Sequence, residues 1–356
     1  MLARQQLLTR GTDSPAALID RLVGLQAQAP LAPYVALWSR LNQFASEQLS
    51  ELMRSRAYVR GHAMRSTIHL LSADDFLALR ALSDAAVGSL SGQVWWARAL
   101  RQADRPALAA DVRAALAGGP LPRVALADRL TGRWGAELAS AAATAVMVLT
   151  GCVQSTPRGV WGQGGPVAWA TVEQWLGTEL PQQPPSPVAF LLRYLAAFGP
   201  ASIADMRAWS GWPRLRELLD QAKPPLRRFR SEHGRELLDL PDAPLADPDV
   251  PAPVRFLPEY DNVHVAYAHR ERINPHRFPT PLLPGNGAAM GTFLLDGVFA
   301  GEWKRQLSTD GHTATLAVKP YRPLTARNRS QIEREGVALL GFLAPAATPE
   351  VHIARG

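Results

Sequence analysis

The chain has 356 residues, 47% of them hydrophobic, which is enough to build substantial cores and predicts two to four compact units. Its 38 lysines and arginines outnumber 31 acidic residues, and the net charge of +7 favours a polyanionic partner over an acidic or neutral one. A single cysteine, Cys152, excludes an intramolecular disulfide and a cysteine-based zinc cluster.

The first predicted helix begins at Thr12-Asp13-Ser14-Pro15 and carries apolar residues as far as Leu25. Two glutamines, Gln26 and Gln28, follow directly, and Pro30 prevents the helix from continuing. We therefore expect both side-chain amides on a turn between this helix and the next one.

A pair of primary amides suggests one kind of chemistry. Each amide offers an acceptor and two donors without carrying charge, so two that converge can orient a water molecule but are too weakly basic to deprotonate it. Such a pair suits attack by water on an electrophile that is already positively charged. The alternative is that the glutamines are solvated surface residues, which is the common role of this residue type near a helix end.

The next helix is predicted over 34–41, and a two-stranded wing follows it, from Tyr58-Val59-Arg60 to the end of Met64-Arg65-Ser66-Thr67-Ile68-His69-Leu70. We expect this wing to fold back beside the glutamine turn. His69 has apolar neighbours and is either a pocket residue or a packed histidine with one hydrogen bond. Tyr34 and Trp38 have helical i, i+4 spacing, so they either stack on a ligand or fill the core.

The same pattern returns twice, at sites 80 residues apart. Gly119-Pro120 and Gly199-Pro200 each precede a short amphipathic helix, a break and a further helix. The breaks are predicted at Thr131-Gly132 and at Gly211-Trp212-Pro213. Each copy therefore has the order of a helix-turn-helix.

A wing is predicted after each of these two copies. The second wing runs from Val153-Gln154-Ser155 through a turn at Pro157-Arg158-Gly159 into Val160-Trp161, and the third runs from Arg227 to Leu238. Helix-turn-helix followed by a wing, three times, indicates a tandem winged-helix protein. Simple αα-hairpins of an ordinary helical protein are the alternative.

The C-terminal part is predicted to be rich in strands. Residues 241–253 read as a linker because proline and aspartate dominate them. Hairpins are predicted around Asp296-Gly297 and around Thr309-Asp310-Gly311-His312, forming a small β-barrel or a curled sheet. A helix over Arg327 to Phe342 is expected to cap it.

Two carboxylates in this part offer a rival site. Glu259 and Asp261 alternate in a strand-like segment, and paired carboxylates are typical of sugar hydrolysis. Their alternative role is to cap turns after Pro258. The histidines His264 and His276, with His269 between them, have spacings unlike a zinc helix, so we predict no metal and no other cofactor.

The predicted fold is α+β, with about three tandem winged helix-turn-helix units and a C-terminal β-rich, barrel-like region. Residues 1–100 form the first winged helix with the glutamine turn, residues 101–180 the second, residues 181–250 the third, and residues 251–356 the β-rich region with its hairpins and terminal helix. The N-terminus lacks a signal sequence and no stretch is long enough to span a membrane, so we expect a cytoplasmic protein.

Three segments resemble one known family. Leu25-Gln26-Ala27-Gln28-Ala29-Pro30 is the most specific of them, and Met64–Leu70 and Leu257-Pro258-Glu259-Tyr260-Asp261-Asn262 follow in the same order. Together they resemble the AlkZ family of bacterial DNA glycosylases, along essentially the whole chain. A sister branch of that family carries aspartate at the second glutamine position, so Gln28 places this chain in the Gln-x-Gln branch.

The resemblance implies an activity. Gln26 and Gln28 would position the water that attacks C1′ of a nucleotide with an N7-alkylated, cationic purine in double-stranded DNA. The enzyme would be monofunctional, because no lysine lies near the motif to form a Schiff base. Bulky adducts and interstrand crosslinks are implied as substrates, and either general DNA repair or self-resistance to an alkylating natural product as the purpose.

The resemblance also implies how DNA is held. The family suggests a C-shaped surface that reads the lesion in place, with a hairpin wedging the duplex. We assign Arg65, Ser66 and Thr67 to contacts with DNA and its phosphates, and His69 to the pocket. The remaining predicted DNA contacts are aromatic residues and a basic hairpin, namely Tyr34, Trp38, Trp303, Lys304 and Arg305. We expect a monomer without an obligate protein partner.

Two rival functions stay open. Tandem winged helices without catalysis would make a DNA-binding transcription regulator, with sequence-specific affinity and no dependence on Gln26 or Gln28. A sugar-phosphate hydrolase would use Glu259 and Asp261 instead.

Overall fold

The computed structural model describes residues 1–87, 95–101, 103–220, 222–223, 225–247, 249–281 and 290–354. The helices are Pro15–Arg21 (α1), Ala32–Arg40 (α2), Ser46–Arg54 (α3), Ala73–Val87 (α4), Trp95–Leu100 (α5), Arg105–Leu116 (α6), Arg123–Thr144 (α7), Val146–Leu149 (α8), Val172–Leu176 (α9), Pro187–Phe198 (α10), Ile203–Ser210 (α11), Leu215–Asp220 (α12), Asn262–Val265 (α13) and Ala326–Leu343 (α14).

The strands are Leu25–Gln26 (β1), Tyr58–His62 (β2), Ile68–Ser72 (β3), Leu121–Pro122 (β4), Cys152–Gln154 (β5), Ala168–Thr171 (β6), Arg227–Arg230 (β7), Glu236–Asp239 (β8), Arg255–Leu257 (β9), Gly291–Leu295 (β10), Val298–Leu307 (β11), Thr313–Pro320 (β12) and Thr348–Ile353 (β13). Helices and antiparallel sheets are mixed along the chain, which confirms the α+β class.

The largest sheet joins the first two predicted units. Its order is β1-β3-β2-β5-β6-β4, with β2 and β3 forming the predicted first wing. β2 also pairs with β5, where Arg60 lies opposite Gln154. The two wings are therefore joined edge to edge, and their strands share one continuous sheet.

The end of the first helix differs from the prediction. α1 stops at Arg21, because Val23 and Gly24 have left-handed φ angles of 53° and 90° that no α-helix accommodates. A Cβ at Gly24 would lie 2.3 Å from the Leu71 side chain, so glycine is also needed for the close approach to β3. Beyond this kink the chain becomes extended and forms β1 instead of a helical end.

The second unit also differs in two places. The predicted break at Thr131-Gly132 is absent, because α7 is helical through these residues and is interrupted only by a kink at Gly135, where φ is 73°. The return strand of the second wing is β6, not Val160-Trp161. Val160 is buried and the Trp161 ring lies 4.9 Å from that of Tyr34, so the N-terminal core holds this segment away from β5.

The helices and the hairpin predicted for the third unit are present. Ser202 begins α11 with a capping box, Gly211 ends it in the left-handed conformation, and α12 follows. β7 and β8 form the predicted hairpin. A buried ion pair of Arg4 with Asp239, at 2.7 Å, ties this hairpin to the N-terminal segment.

The C-terminal region is an open sheet rather than a barrel. Among the described strands its order is β13-β12-β11-β10-β9, and β9 does not meet β13. Both predicted hairpins are present, and α14 lies close to the predicted terminal helix. α14 is also the crossover that lets β13 pair parallel with β12, and its apolar side packs against the sheet. Since one face is covered by a helix, the sheet has no need to close on itself.

Cys152 is fully buried, and burial raises the pKa of its thiol to about 12. Within the described residues, none of the helices combines the length and the apolar character needed to cross a membrane.

Candidate functional site: a glutamine pair beside the first wing

Gln26 lies on β1, the edge strand next to the first wing. It is paired with His69 on β3, and Leu25 is paired with Leu70. The amide of Ala27 continues the ladder by donating to the carbonyl of Ile68 at 2.8 Å. The wing thus lies beside the glutamine segment as expected, and it holds that segment by backbone hydrogen bonds.

The two glutamine side chains converge. Gln26 Nε2 donates to Gln28 Oε1 at 3.0 Å. Gln26 is only 7% exposed, whereas Gln28 is exposed. In extended backbone, residues i and i+2 point to the same side, which explains how alternate glutamines come together. The pair therefore runs from a buried amide to an amide at the surface.

Arg65 reaches the buried end of this pair. Its Nη2 donates to Gln26 Oε1 at 3.0 Å, and its Nη1 donates to the carbonyl of Trp209 on α11 at 2.7 Å. Arg65 has a left-handed φ of 54° within the short 3-10 turn Met64–Ser66. Burial lowers the pKa of this guanidinium to about 10, so it remains a cation at neutral pH.

His69 is a neutral hydrogen-bond acceptor in this arrangement. Its Nδ1 lies 3.0 Å from the carbonyl of Thr67, which can only accept, and its Nε2 lies 3.2 Å from Arg65 Nη2, which can only donate. The proton therefore sits on Nδ1, and Nε2 accepts from Arg65. Burial, and then the charge of Arg65, lower the pKa of His69 to about 3. His69 is thus packed, with a defined tautomer, directly behind Gln26.

Two side chains that the sequence did not single out hold the backbone of the glutamine segment by hydrogen bonds. Arg60 Nη2 donates to the carbonyl of Ala27 at 2.6 Å, and Asn262 Nδ2 donates to the carbonyl of Gly24 at 3.0 Å. Both side chains are buried, and burial lowers the pKa of Arg60 to about 10. Backbone carbonyls on both sides of Gln26 are therefore satisfied by side chains from distant elements.

Ser66 and Thr67 are the remaining predicted site residues of the first wing. The Thr67 hydroxyl donates to the carbonyl of Met64 at 3.2 Å, which closes the 3-10 turn. The side chain of Ser66 lies outside the described part of the structure.

Tyr34 and Trp38 belong to the core and not to a stacking surface. Tyr34 is 1% exposed, and its hydroxyl donates to the carbonyl of Gly159 at 2.9 Å. Trp38 is partly buried between the guanidinium of Arg10, 4.4 Å from its ring centre, and the ring of Phe342. This burial agrees with the alternative that the two rings fill the core, and it leaves the Tyr34 ring no room to stack on DNA.

In the predicted basic hairpin, the tryptophan is buried and only part of the hairpin is exposed. Trp303 is 7% exposed, and its Nε1 donates to the carbonyls of Leu257 and Thr292 at 2.9 Å each. It cannot enter a DNA groove, because the strand alternation of β11 turns it into the core. Arg305 donates to the carbonyl of Leu343 at 2.9 Å, and Lys304 is exposed.

The two carboxylates of the rival site, Asp261 and Glu259, have different surroundings. Asp261 caps α13 and accepts two hydrogen bonds from the fully buried Arg40, at 2.7 and 2.8 Å. Burial alone raises the pKa of Asp261, but Arg40 outweighs it and holds that pKa below its usual range. Glu259 lies in a turn, not a strand, and burial raises its pKa. Among the described residues, no group of three His, Cys, Asp or Glu side chains is placed to hold a metal ion.

The chain is similar to known proteins in sequence and in fold. The sequence signature of the family described as DNA glycosylase AlkZ-like matches residues 19–342. Among solved structures, Streptomyces sahachiroi DNA glycosylase AlkZ is similar with a TM-score of 0.71 at 20% identity, covering 99% of this chain and 97% of that one. No curated protein matches the chain. The signature spans the glutamine pair, the first wing and Asp261 alike.

Proposed function

Since the chain belongs to the AlkZ-like family of DNA glycosylases, we propose that it hydrolyses the N-glycosidic bond of N7-alkylated purines in double-stranded DNA. One observation carries the proposal: Gln26 Nε2 donates to Gln28 Oε1 at 3.0 Å, and Gln28 is exposed. Two neutral amides thus meet at a surface that a DNA strand can approach.

Gln28 holds the attacking water. Its Oε1 uses one lone pair for Gln26 and keeps the other for an O–H of the water, and its Nε2 provides two further donors. The water oxygen forms a bond to C1′ while the bond from C1′ to the purine nitrogen breaks. The electron pair of that bond neutralises the positive charge of the alkylated base, and one proton is released to solvent.

The absence of a strong base suits a cationic leaving group. An N7-alkylated purine departs easily because departure cancels its charge, so placing the water contributes more than deprotonating it. The chain has three lysines, and none of them is on β1 or on the first wing: Lys223 follows α12, Lys304 is on β11 and Lys319 is on β12. We therefore propose base release that leaves an abasic site with the strand intact.

Substrate and scaffold complete the proposal. We propose that three winged-helix units within 1–100, 101–180 and 181–250 form a C-shaped surface with the region 251–356, and that the protein acts as a monomer. An open surface of this kind accommodates bulky adducts and interstrand crosslinks that cannot be flipped into a closed pocket. Its role is alkylation repair or self-resistance to an alkylating natural product, inside the cell.

The test uses duplex DNA that carries one N7-methylguanine or a nitrogen-mustard crosslink. After incubation, hot alkali cleaves abasic sites, and strand cleavage reports base release. We expect release by the wild type, and a loss of about 10²-fold in the single-turnover rate for Gln28→Ala. Glu259→Ala is the matched control and should keep its rate. DNA that is bound but intact would instead indicate a transcription regulator and overturn the proposal.

A further inference from the structure

We propose that Arg65 is a positioning residue that sets the direction of the hydrogen bonds through Gln26 to Gln28, and that it does not contact DNA phosphates. The inference rests on the proposed function, because it concerns the orientation of the water-binding amide. The bond from Arg65 Nη2 to Gln26 Oε1, at 3.0 Å, carries it.

A guanidinium has only donors, which decides how the Gln26 amide is oriented. With Oε1 toward Arg65, Gln26 must present Nε2 to Gln28, and this is the bond observed. The reversed amide would place Nε2 donors against the donors of Arg65 and Oε1 against Oε1 of Gln28. Both contacts would be repulsive, so the cation selects one of the two amide orientations.

The selected orientation determines what the exposed amide can do. Because Gln26 donates to Gln28 Oε1, the carbonyl of Gln28 is held toward the buried end, and its second lone pair remains for a water. Without Arg65, both amides are free to turn, and the water loses a defined acceptor. Orientation is thus passed from the interior to the surface through two neutral groups.

Arg65 is itself held in place at three points. Both hydrogens of Nη2 are used, by Gln26 Oε1 and by His69 Nε2, and Nη1 donates to the carbonyl of Trp209. The Nδ1 hydrogen of His69 is in turn taken by Thr67. A phosphate contact at Nη2 would have to break this set, because both of its hydrogens are used, and this argues against the role that the sequence suggested for Arg65. The same contacts connect the glutamine pair to α11 of the third unit.

The test compares Arg65→Met with Arg65→Lys in single-turnover excision and in DNA affinity. We expect Arg65→Met to lower the excision rate at saturating DNA at least about tenfold, with DNA affinity changed less than about twofold. Arg65→Lys keeps one charged donor for Gln26 and should recover part of the rate. Arg129→Met, which removes an exposed arginine of α7, measures the effect of losing one charge. A drop in affinity with an unchanged rate would mean a phosphate contact and would overturn the inference.

A double-mutant cycle separates positioning from a general structural effect. If Arg65 acts through Gln26, then Arg65→Met should have little further effect on the rate in a Gln26→Ala background. Additive losses overturn the inference. Thermal unfolding shows whether each variant is folded. If Arg65→Met does not fold, Arg65→Lys replaces it in the double-mutant cycle. A wild type that releases no base overturns the proposed function, whereas an active wild type with an equally active Arg65→Met overturns only the inference.

Discussion

Gln26 and His69 are direct partners across β1 and β3, so the glutamine pair belongs to the sheet of the first wing. A shift of the register by one residue would turn every side chain of β1 to the opposite face. Gln26 and Gln28 would then point away from Arg65, and the exposed amide would lose its support. The position of the candidate site therefore depends on strand pairing more than on the turn itself.

The same chemical change should lower the excision rate more at Gln26 than at Gln28. In Gln26→Glu, the carboxylate pairs with Arg65 but has no hydrogen to donate to Gln28, so we expect the excision rate to fall at least about tenfold. In Gln28→Glu, the carboxylate still accepts from Gln26 Nε2 and from a water, so activity should stay within about tenfold of the wild type. Single-turnover excision of N7-methylguanine measures both. Equal losses in the two variants would contradict a directed pair.

Gly24 should be needed for the position of β1. Its φ is 90°, and a Cβ would lie 2.3 Å from the Leu71 side chain, so Gly24→Ala combines backbone strain with a clash. We expect a loss of about 2–4 kcal/mol in the free energy of unfolding, together with slower excision. Gly177→Ala is the control, because Gly177 has a φ of 71° but open space around it. Urea unfolding should show a loss of only about 1 kcal/mol there.

Local patterns predicted those parts of the molecule that neighbouring residues decide. The first wing follows from the β-branched and apolar residues of Tyr58–His62 and Ile68–Ser72, and the third unit follows from Ser202 and Gly211. The second wing was misplaced, because Gly159 and Trp161 contact Tyr34, which lies 125 and 127 positions away in the chain. Such a contact leaves no local trace.

The candidate site divides in the same way. Gln26 and Gln28 were recognisable from their spacing and from the proline that follows. The role of Arg65 was not, because the sequence placed it on the first wing but suggested a contact with DNA, whereas its bond to Gln26 spans 39 residues. Arg60 and Asn262 were not singled out, since they reach the glutamine segment across 33 and 238 residues.

The neutral histidine predicts how stability depends on pH. The pKa of His69 is lowered from 6.5 to about 3 in the folded protein, so between these values the unfolded chain binds a proton that the folded chain does not. The free energy of unfolding therefore loses nothing to this group above pH 6.5. Between pH 6.5 and about 3 it falls by about 1.4 kcal/mol for each unit that the pH is lowered. We expect the free energy of unfolding, measured with urea at about pH 5.5 and about pH 4.5, to change with pH less steeply in His69→Gln, by this amount. An unchanged slope would mean that His69 titrates normally.

The buried ion pair of Arg40 and Asp261 should matter for stability and not for chemistry. Both side chains are almost fully buried, and Arg40 Nη2 lies 2.7 Å from Asp261 Oδ1. Asp261→Asn therefore leaves an arginine charge uncompensated in the interior. We expect a loss of about 3–5 kcal/mol in the free energy of unfolding. Glu236→Gln removes a carboxylate from an exposed pair with Arg228 and should cost much less.

The same variant tests the rival carboxylate site. Below its own melting temperature, Asp261→Asn should excise N7-methylguanine at a rate close to that of the wild type, because Asp261 faces Arg40 and the start of α13. Single-turnover rates at 15 °C, compared with those of Gln28→Ala, measure this. A folded Asp261→Asn that loses activity while Gln28→Ala keeps it would move the chemistry from the amides to the carboxylate.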